Sequence, residues 1–338
     1  MIVNTDFTAM TGVKLPVIMA PMFLVSNVPM MEAAIANGVM GVFPSLNFRE
    51  EKKLEEVLTH LSAYRRSKAD SQGSYGVNLI VQQTNIWYEK HLELCVHHRV
   101  PFYITSLGNP STVIKKAHSY GAKVFCDVTN LEHAQKAMQK GCDGFIAVGQ
   151  GAGGHAGPYP LTVLVPALKK KFPDIPVVAA GGIASGAGII SSLASGASAA
   201  SIGTRFIATF EAKVSEEYKK AVVNAGMNDI VLTERISGTP CTIINTPYVQ
   251  KIGLKQNKIE RWLSRNPRTK RYFKMLVQKR GLTLLEKAVM PGNYQNLWCA
   301  GQSVELVDDI VSCKDVIRRL ETEMQTACED LYKQIILS

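Results

Sequence analysis

The sequence predicts an α/β protein built on a (β/α)8 TIM barrel with a mostly helical C-terminal extension. Eight short apolar runs rich in Val, Ile and Phe lie between residues 17 and 206, and helical patterns separate them. The runs lack the strict polar–apolar alternation of a half-exposed strand, which is typical of a parallel sheet covered by helices. An open doubly wound sheet is the alternative architecture. The count of eight predicted strands and the lack of a G-x-G-x-x-G turn after the first of them disfavour it.

Strands and helices alternate at an even spacing. The predicted strands cover residues 17–22, 40–45, 75–81, 101–107, 122–129, 143–149, 176–183 and 199–206. The segments between them repeat apolar residues at helical spacing. The predicted helices cover residues 30–38, 50–67, 87–98, 111–120, 131–141, 161–172 and 185–196.

The length of 338 residues accommodates a barrel of roughly 250 residues plus an extension. We assign residues 1–225 to the barrel and residues 226–338 to a cap, with amphipathic C-terminal helices over 303–335. No apolar run reaches the ~18 residues of a membrane helix, and no secretory signal is visible. The seven cysteines are scattered without a C-x-x-C pair, which indicates reduced thiols in the cytoplasm and neither a disulfide framework nor a metal site.

The net charge of +10 is concentrated in one segment. Between Lys251 and Arg280 there are eleven Lys or Arg residues and one acid, Glu260. The rest of the chain is therefore close to neutral. A nucleic-acid binder would carry a basic folded face or a known module, so we expect no nucleic-acid partner.

The stretch GQGAGGHAG, residues 149–157, places one imidazole among five glycines. It follows the sixth predicted strand, and the active site of a barrel lies in the loops at the carboxyl ends of its strands. We therefore expect His155 to be functional. The other six histidines fall in helical patterns, where a structural or surface role is expected.

Two further glycine clusters follow the seventh and eighth predicted strands, in AAGGIASGAG and SIGTRF. In this fold, free N–H groups of these two loops and a helix N-terminus bind phosphate. Gly181, Gly182, Gly203 and Thr204 are the residues expected around such a group. The plainer interpretation is that these glycines only form tight turns.

Five segments together resemble the nitronate monooxygenase family, formerly called 2-nitropropane dioxygenases, and the related flavin-dependent enoyl-acyl-carrier-protein reductases. The segments are VIMAPMFLVSN, YGVNLIV, GQGAGGHAG, VVAAGGIASGAGI and SIGTRF, with a fainter match at CAGQSVELVDDI. The resemblance implies FMN as cofactor, O2 as co-substrate, oxidation of alkyl nitronates or nitroalkanes, and His155 as the catalytic residue. The cofactor-binding residues it implies are Pro21, Met22, Phe23, Asn78, Asp127, Gly153, Ala180, Gly181, Gly182, Gly203 and Thr204.

Three positions depart from the family pattern. Asp127 stands where some monooxygenases carry a lysine, Val148 replaces an acidic residue, and Ala180 replaces a serine. The first alternative is therefore an FMN- and NAD(P)H-dependent enoyl reductase, whose partner would be an acidic acyl carrier protein attracted to residues 251–280. The second is a non-catalytic flavin-binding protein on the same barrel. The other expected partner is a small-molecule substrate. The sequence is also compatible with a homodimer.

Overall fold

A computed structural model describes residues 3–82, 84–234, 240–255, 277 and 297–335. Eight parallel strands close into a barrel in the order β1-β2-β3-β4-β5-β6-β8-β9, and β9 pairs with β1. The barrel strands are β1 Val17–Met19, β2 Met40–Pro44, β3 Ser74–Ile80, β4 Phe102–Ser106, β5 Lys123–Val128, β6 Gly144–Val148, β8 Val177–Ala180 and β9 Ala199–Ile202. The predicted (β/α)8 fold is confirmed.

Helices cover the outer face of the barrel and continue beyond it. Their bounds are α1 Asp6–Thr11, α2 Val28–Ala36, α3 Glu51–Ser67, α4 Tyr88–His97, α5 Ser111–His118, α6 Leu131–Met138, α7 Leu161–Lys171, α8 Gly186–Ala194, α9 Thr204–Ile207, α10 Glu216–Asn224, α11 Pro247–Ile252 and α12 Cys313–Gln334. Several begin with a side chain that caps a backbone N–H, as Ser185 does for Gly188 at the start of α8. Such caps stabilise the first turns of these helices.

A plug of aromatic rings fills the N-terminal end of the barrel. The fully buried Phe7 of α1 lies with its ring centroid 5.9 Å from those of Phe102 and Phe125, both edge-on. Ile18 and Ile146 belong to the same inner cluster, which is separate from the larger core between strands and helices. The amino-terminal residues thus close one end of the barrel and leave the other for a site.

A second, three-stranded antiparallel sheet lies beside the barrel. Its strands are β7 Gly154–His155, β10 Ile230–Thr233 and β11 Cys241–Ile244, in the order β10-β11-β7. The strands β10 and β11 lie in the C-terminal extension, which was expected to be mostly helical, and they were not predicted. These strands pair with residues that are distant in sequence, so the local sequence pattern gave little indication of them.

The eighth predicted strand ends earlier than expected. Residues 199–202 are extended, but Thr204–Ile207 form α9, so the prediction of a strand to residue 206 is wrong. Phe206 and Ile207 are buried, and their apolar character is that of a buried helical turn. A short apolar run does not distinguish these two states.

The long helix α12 packs on α8 and α2 of the barrel. Its buried face includes Val316, Leu320 and Met324, so the predicted amphipathic helix is confirmed. Gly186 allows the close approach, because a Cβ there would lie 2.2 Å from the backbone N of Met324. The Gly186 N–H donates to Oε2 of Glu323 at 2.7 Å. Most of the basic segment 251–280 lies outside the described residues.

Within the part of the chain that the structure describes, none of the helices combines the length and the apolar character needed to cross a membrane.

Candidate active site

One cavity of about 1070 Å³ opens at the carboxyl ends of the barrel strands. It brings together every residue that the sequence analysis assigned to a site. These are Pro21, Met22, Phe23, Asn78, Asp127, Gly153, His155, Ala180, Gly181, Gly182, Gly203 and Thr204. The fold therefore assembles twelve positions from six different loops and strand ends on one surface, although their individual roles stay predictions.

The glycines after β8 and β9 line the cavity with bare backbone. Gly181 and Gly182 have φ of 122° and 74°, a region that side chains rarely adopt. A Cβ at Gly181 would lie 2.7 Å from the backbone N of Ala152, so the loop after β6 needs this glycine. A Cβ at Gly203 would meet only ordinary contacts, 3.6 Å from the Met22 sulfur. Among the described residues, no loop or turn hydrogen bond uses the N–H groups of Gly182, Gly203 or Thr204.

The segment Ala300–Gly301 passes between the loop after β6 and the start of α9. The Gly301 N–H donates to Oγ1 of Thr204 at 3.0 Å. A Cβ at Gly153 would lie 2.8 Å from the Gly301 nitrogen, so these backbones touch directly. The faint C-terminal match noted in the sequence thus lies against the predicted site.

His155 lies in the two-residue strand β7, at the edge of the second sheet. Its register partner on β11 is Cys241, and Oγ1 of Thr242 on the same strand donates to the carbonyl oxygens of Ala152 and Gly154. His155 is exposed, and it lines the cavity. A strand from beyond the barrel therefore supports the loop that carries the candidate base.

The turn after β1 is fixed by two polar side chains. The Met22 N–H donates to Oγ of Ser26 at 2.9 Å. Asn47 binds both sides of the turn, accepting from the Leu24 N–H at 2.9 Å and donating to the Met22 carbonyl at 3.2 Å. Leu24 has a φ of 61°, and these bonds hold this left-handed conformation. Pro21, Met22 and Phe23 thereby present a firm wall to the cavity.

A chain of three polar side chains crosses the mouth of the barrel from β3 to β5. Nδ2 of Asn78 donates to Oγ of Ser106 at 2.8 Å, and this hydroxyl donates to Oδ2 of Asp127 at 2.5 Å. Burial raises the pKa of Asp127 to about 6, and the hydrogen bond from Ser106 opposes this rise. Asp127 is half-buried and lines the cavity. Sequence analysis missed Ser106, although its place at a strand end was a signal.

The cavity extends outward past the loop after β4 and along α6. His133, Lys136 and Lys140 line this extension, and Lys136 is paired with Glu132 at 2.6 Å. His133, which was expected to be structural or on the surface, thus borders the cavity, where it hydrogen-bonds Thr129. Val148 and two cysteines, Cys241 and Cys299, also line the cavity.

All seven cysteines are free. Within the described ranges, no cluster of three His, Cys, Asp or Glu side chains is arranged to hold a metal ion.

The family model for nitronate monooxygenase matches residues 43–323 of the chain, which is most of its length. The chain belongs to the nitronate monooxygenase family. It is an oxidoreductase, and members of this family depend on a flavin. Four of the five segments on which the resemblance was based lie within the matched residues, and VIMAPMFLVSN precedes them.

Relatives within and near the nitronate monooxygenase family cover almost the whole chain. A probable nitronate monooxygenase of Staphylococcus saprophyticus is 28% identical, over 90% of this chain and 93% of that protein. A (3aS,4S,5R,7aS)-5-hydroxy-7a-methyl-1-oxo-octahydro-1H-indene-4-carboxyl-CoA dehydrogenase of Mycobacterium tuberculosis is 28% identical, over 96% of this chain and 98% of that protein. FabK of Thermotoga maritima superposes with a TM-score of 0.83 at 28% identity, covering 98% of this chain and all of that one.

Proposed function

We propose that this chain binds FMN and oxidises alkyl nitronates, or the nitroalkanes that give rise to them, with O2. The observation that carries the proposal is that His155 and the glycine loops after β8 and β9 line one cavity. An imidazole can exchange a proton near neutral pH, and bare backbone N–H groups can hold a phosphate. Family membership supports the same activity.

The cavity fits the proposed cofactor in size and lining. Its volume of about 1070 Å³ is slightly above the ~300–1,000 Å³ usual for ligand sites, so bound FMN would leave room for a small substrate. Gly182, Gly203 and Thr204 would hold the phosphate with their N–H groups. The ring would lie against Pro21, Met22 and Phe23. The remaining residues proposed around it are Asn78, Asp127, Gly153, Ala180 and Gly181.

When bound, FMN supplies the electron acceptor for the oxidation. The protein has to provide the proton chemistry and the orientation of the substrate. For a neutral nitroalkane, we assign His155 as the base: its imidazole takes the proton from the α-carbon. The C–H electron pair forms the C=N bond of the nitronate, and the N=O π pair moves onto a nitro oxygen. The imidazolium that results can donate a hydrogen bond to a nitro oxygen and balance its charge. The glycines on either side of His155 leave space for a flat substrate.

A thioester oxidoreductase is the second candidate. Two observations favour it: the cavity extends along α6 to Lys136 and Lys140, and relatives at 28% identity include a CoA-ester dehydrogenase and FabK. Such an extension would suit a long anionic arm on the substrate. In this case His155 would orient or protonate the thioester carbonyl, NAD(P)H would be the reductant, and an acyl carrier protein or CoA would carry the acyl group.

Anaerobic mixing of the FMN-loaded protein with ethyl nitronate, and separately with NADPH, distinguishes these activities. Loss of flavin absorbance with ethyl nitronate alone, followed by turnover when O2 is admitted, supports nitronate oxidation. Loss of absorbance with NADPH, followed by reduction of crotonyl-CoA, supports the thioester activity. A protein that takes up no FMN contradicts both proposals.

A further inference from the structure

The hydrogen bonds between Asn78, Ser106 and Asp127 run in one direction only. Nδ2 of Asn78 lies 3.2 Å from the carbonyl oxygen of Ile104, which can only accept. The amide of Asn78 is therefore oriented with its NH2 group towards β4. The same NH2 group lies 2.8 Å from Oγ of Ser106, so the Ser106 oxygen must be the acceptor there.

This orientation determines the rest of the chain. Because the Ser106 oxygen accepts from Asn78, its single proton is available for Oδ2 of Asp127. Oδ2 is thus an acceptor. Any proton that Asp127 binds must then sit on its other oxygen, Oδ1, for which the described residues supply no hydrogen-bond partner.

The groups around Asp127 leave its charge uncompensated. No ion pair involves this carboxyl within the part of the chain that the structure describes. The cationic or titratable bases lining the same cavity are His133, Lys136 and Lys140 on the outer extension and His155 on the loop after β6. The weak acids Cys126, Tyr218, Cys241 and Cys299 also line it. None of these groups contributes to the perturbed pKa of Asp127, which arises from burial and from Ser106.

We propose that Asp127 works as a neutral carboxylic acid whose Oδ1–H donates a hydrogen bond to a carbonyl oxygen or ring nitrogen of the bound flavin. Ser106 and Asn78 are positioning residues that keep the proton on Oδ1. The inference rests on the proposed binding of FMN. It explains how a carboxyl can stand where some family members carry a lysine: both side chains can donate a hydrogen bond, but only the acid does so without charge.

The physical basis is the loss of water around the carboxyl. Burial within the protein raises the pKa of Asp127 to about 6. A flavin covering it removes further water, which disfavours the charged form, and its acceptor atom favours the protonated form. FMN binding therefore takes up a proton at neutral pH, and binding weakens as the pH rises above the pKa of the free carboxyl.

The test is the pH dependence of FMN affinity, followed by quenching of flavin fluorescence as the apoprotein is titrated. For the wild type, we expect the affinity to fall by up to about tenfold per pH unit above about pH 6. Asp127→Asn keeps an N–H donor but cannot titrate, so this fall should disappear and leave only the titration of the FMN phosphate. Asp174→Asn is the matched control, since it removes an exposed carboxylate before β8 and should keep the wild-type profile.

Ser106→Ala gives an independent readout. It removes the hydrogen bond that stabilises the carboxylate, so the fall in affinity should begin at higher pH than in the wild type. Identical pH profiles for the wild type and Asp127→Asn overturn the inference, as does an equal loss of affinity at every pH. A wild-type protein that binds no FMN at any pH contradicts the proposed function instead, so the two failures are distinguishable.

Discussion

His155 faces Cys241 across the antiparallel pair of β7 and β11. The candidate base of the barrel is therefore held in place by a strand that follows the barrel in the chain. This arrangement explains how a glycine-rich loop can present one side chain reproducibly. The loop becomes an edge strand, and its freedom is restricted by backbone pairing and by the Thr242 hydroxyl.

Replacement of His155 by Asn should preserve the fold and FMN binding but lower kcat/KM on neutral nitroalkanes by about 10²–10⁴-fold, the usual contribution of general acid–base catalysis. Preformed nitronate has already lost its proton, so it should lose less. Steady-state kinetics on both forms measure the difference. His60→Asn is the control, because His60 lies on α3 and pairs with Glu32 at the surface. Equal losses on both substrate forms would instead assign His155 to binding the nitro oxygens.

Two substitutions at Gly203 separate the effect of side-chain charge on FMN affinity from the effect of side-chain size. Its φ is −107° and a Cβ there meets only ordinary contacts, so Gly203→Asn should fold normally. Gly203→Asp has nearly the same shape but places a carboxylate beside the proposed phosphate. Like charges about 4 Å apart repel by ~4 kcal/mol near a protein surface, so FMN affinity should fall more than about 100-fold below that of the Asn variant. Fluorescence titration with FMN checks this, and equal affinities for the two variants would place the phosphate elsewhere.

Asp309 should make stability depend on pH. Its carboxylate binds Arg319 and the buried Arg205, each at 2.7 Å, and these bonds hold the pKa of Asp309 below its usual value. The contribution is present above the unfolded pKa of about 4 and is lost as the pH falls through the native value. We expect Asp309→Asn to lower the free energy of unfolding by about 1.5–3 kcal/mol at neutral pH.

Urea denaturation at several pH values measures this effect, and the gap between wild type and Asp309→Asn should narrow in acid. Asp308→Asn changes the neighbouring exposed carboxylate and should have little effect. A gap that stays constant down to about pH 3, below the usual range for a carboxyl, would show that the charge of Asp309 is not what stabilises Arg205.

Phe7→Ala should lower the free energy of unfolding by about 3–5 kcal/mol, because it empties a fully buried site between two aromatic rings. Chemical denaturation measures the loss. Phe210→Ala removes a ring that is 67% exposed and should cost far less. FMN affinity of the folded variant should be unchanged, since the ring lies at the end of the barrel remote from the cavity. A loss of FMN affinity at full folding would contradict that separation.

The barrel and much of its site were predictable from local signals. Each strand was a short apolar run between helical patterns, and parallel topology alone brings positions as distant in sequence as Pro21 and Gly203 to one end. The position of Ser106 at the end of β4 was predictable in the same way. The position of Cys241 opposite His155 was not predictable, because this register depends on long-range pairing that no local pattern encodes. The predicted end of the eighth strand was wrong for a different reason. A buried helical turn such as the one that begins at Thr204 and a buried strand have the same apolar composition.

The plug around Phe7 has a consequence for the order of events in the cavity. With the amino-terminal end of the barrel filled, the proposed cofactor, the substrate and the product would share the mouth at the carboxyl ends of the strands. In a cavity that is closed at one end, the molecule that binds deepest has to enter first and leave last. A product that lingers at the mouth therefore blocks the next reactant, and we expect competitive product inhibition together with alternating, ping-pong turnover of the two substrates.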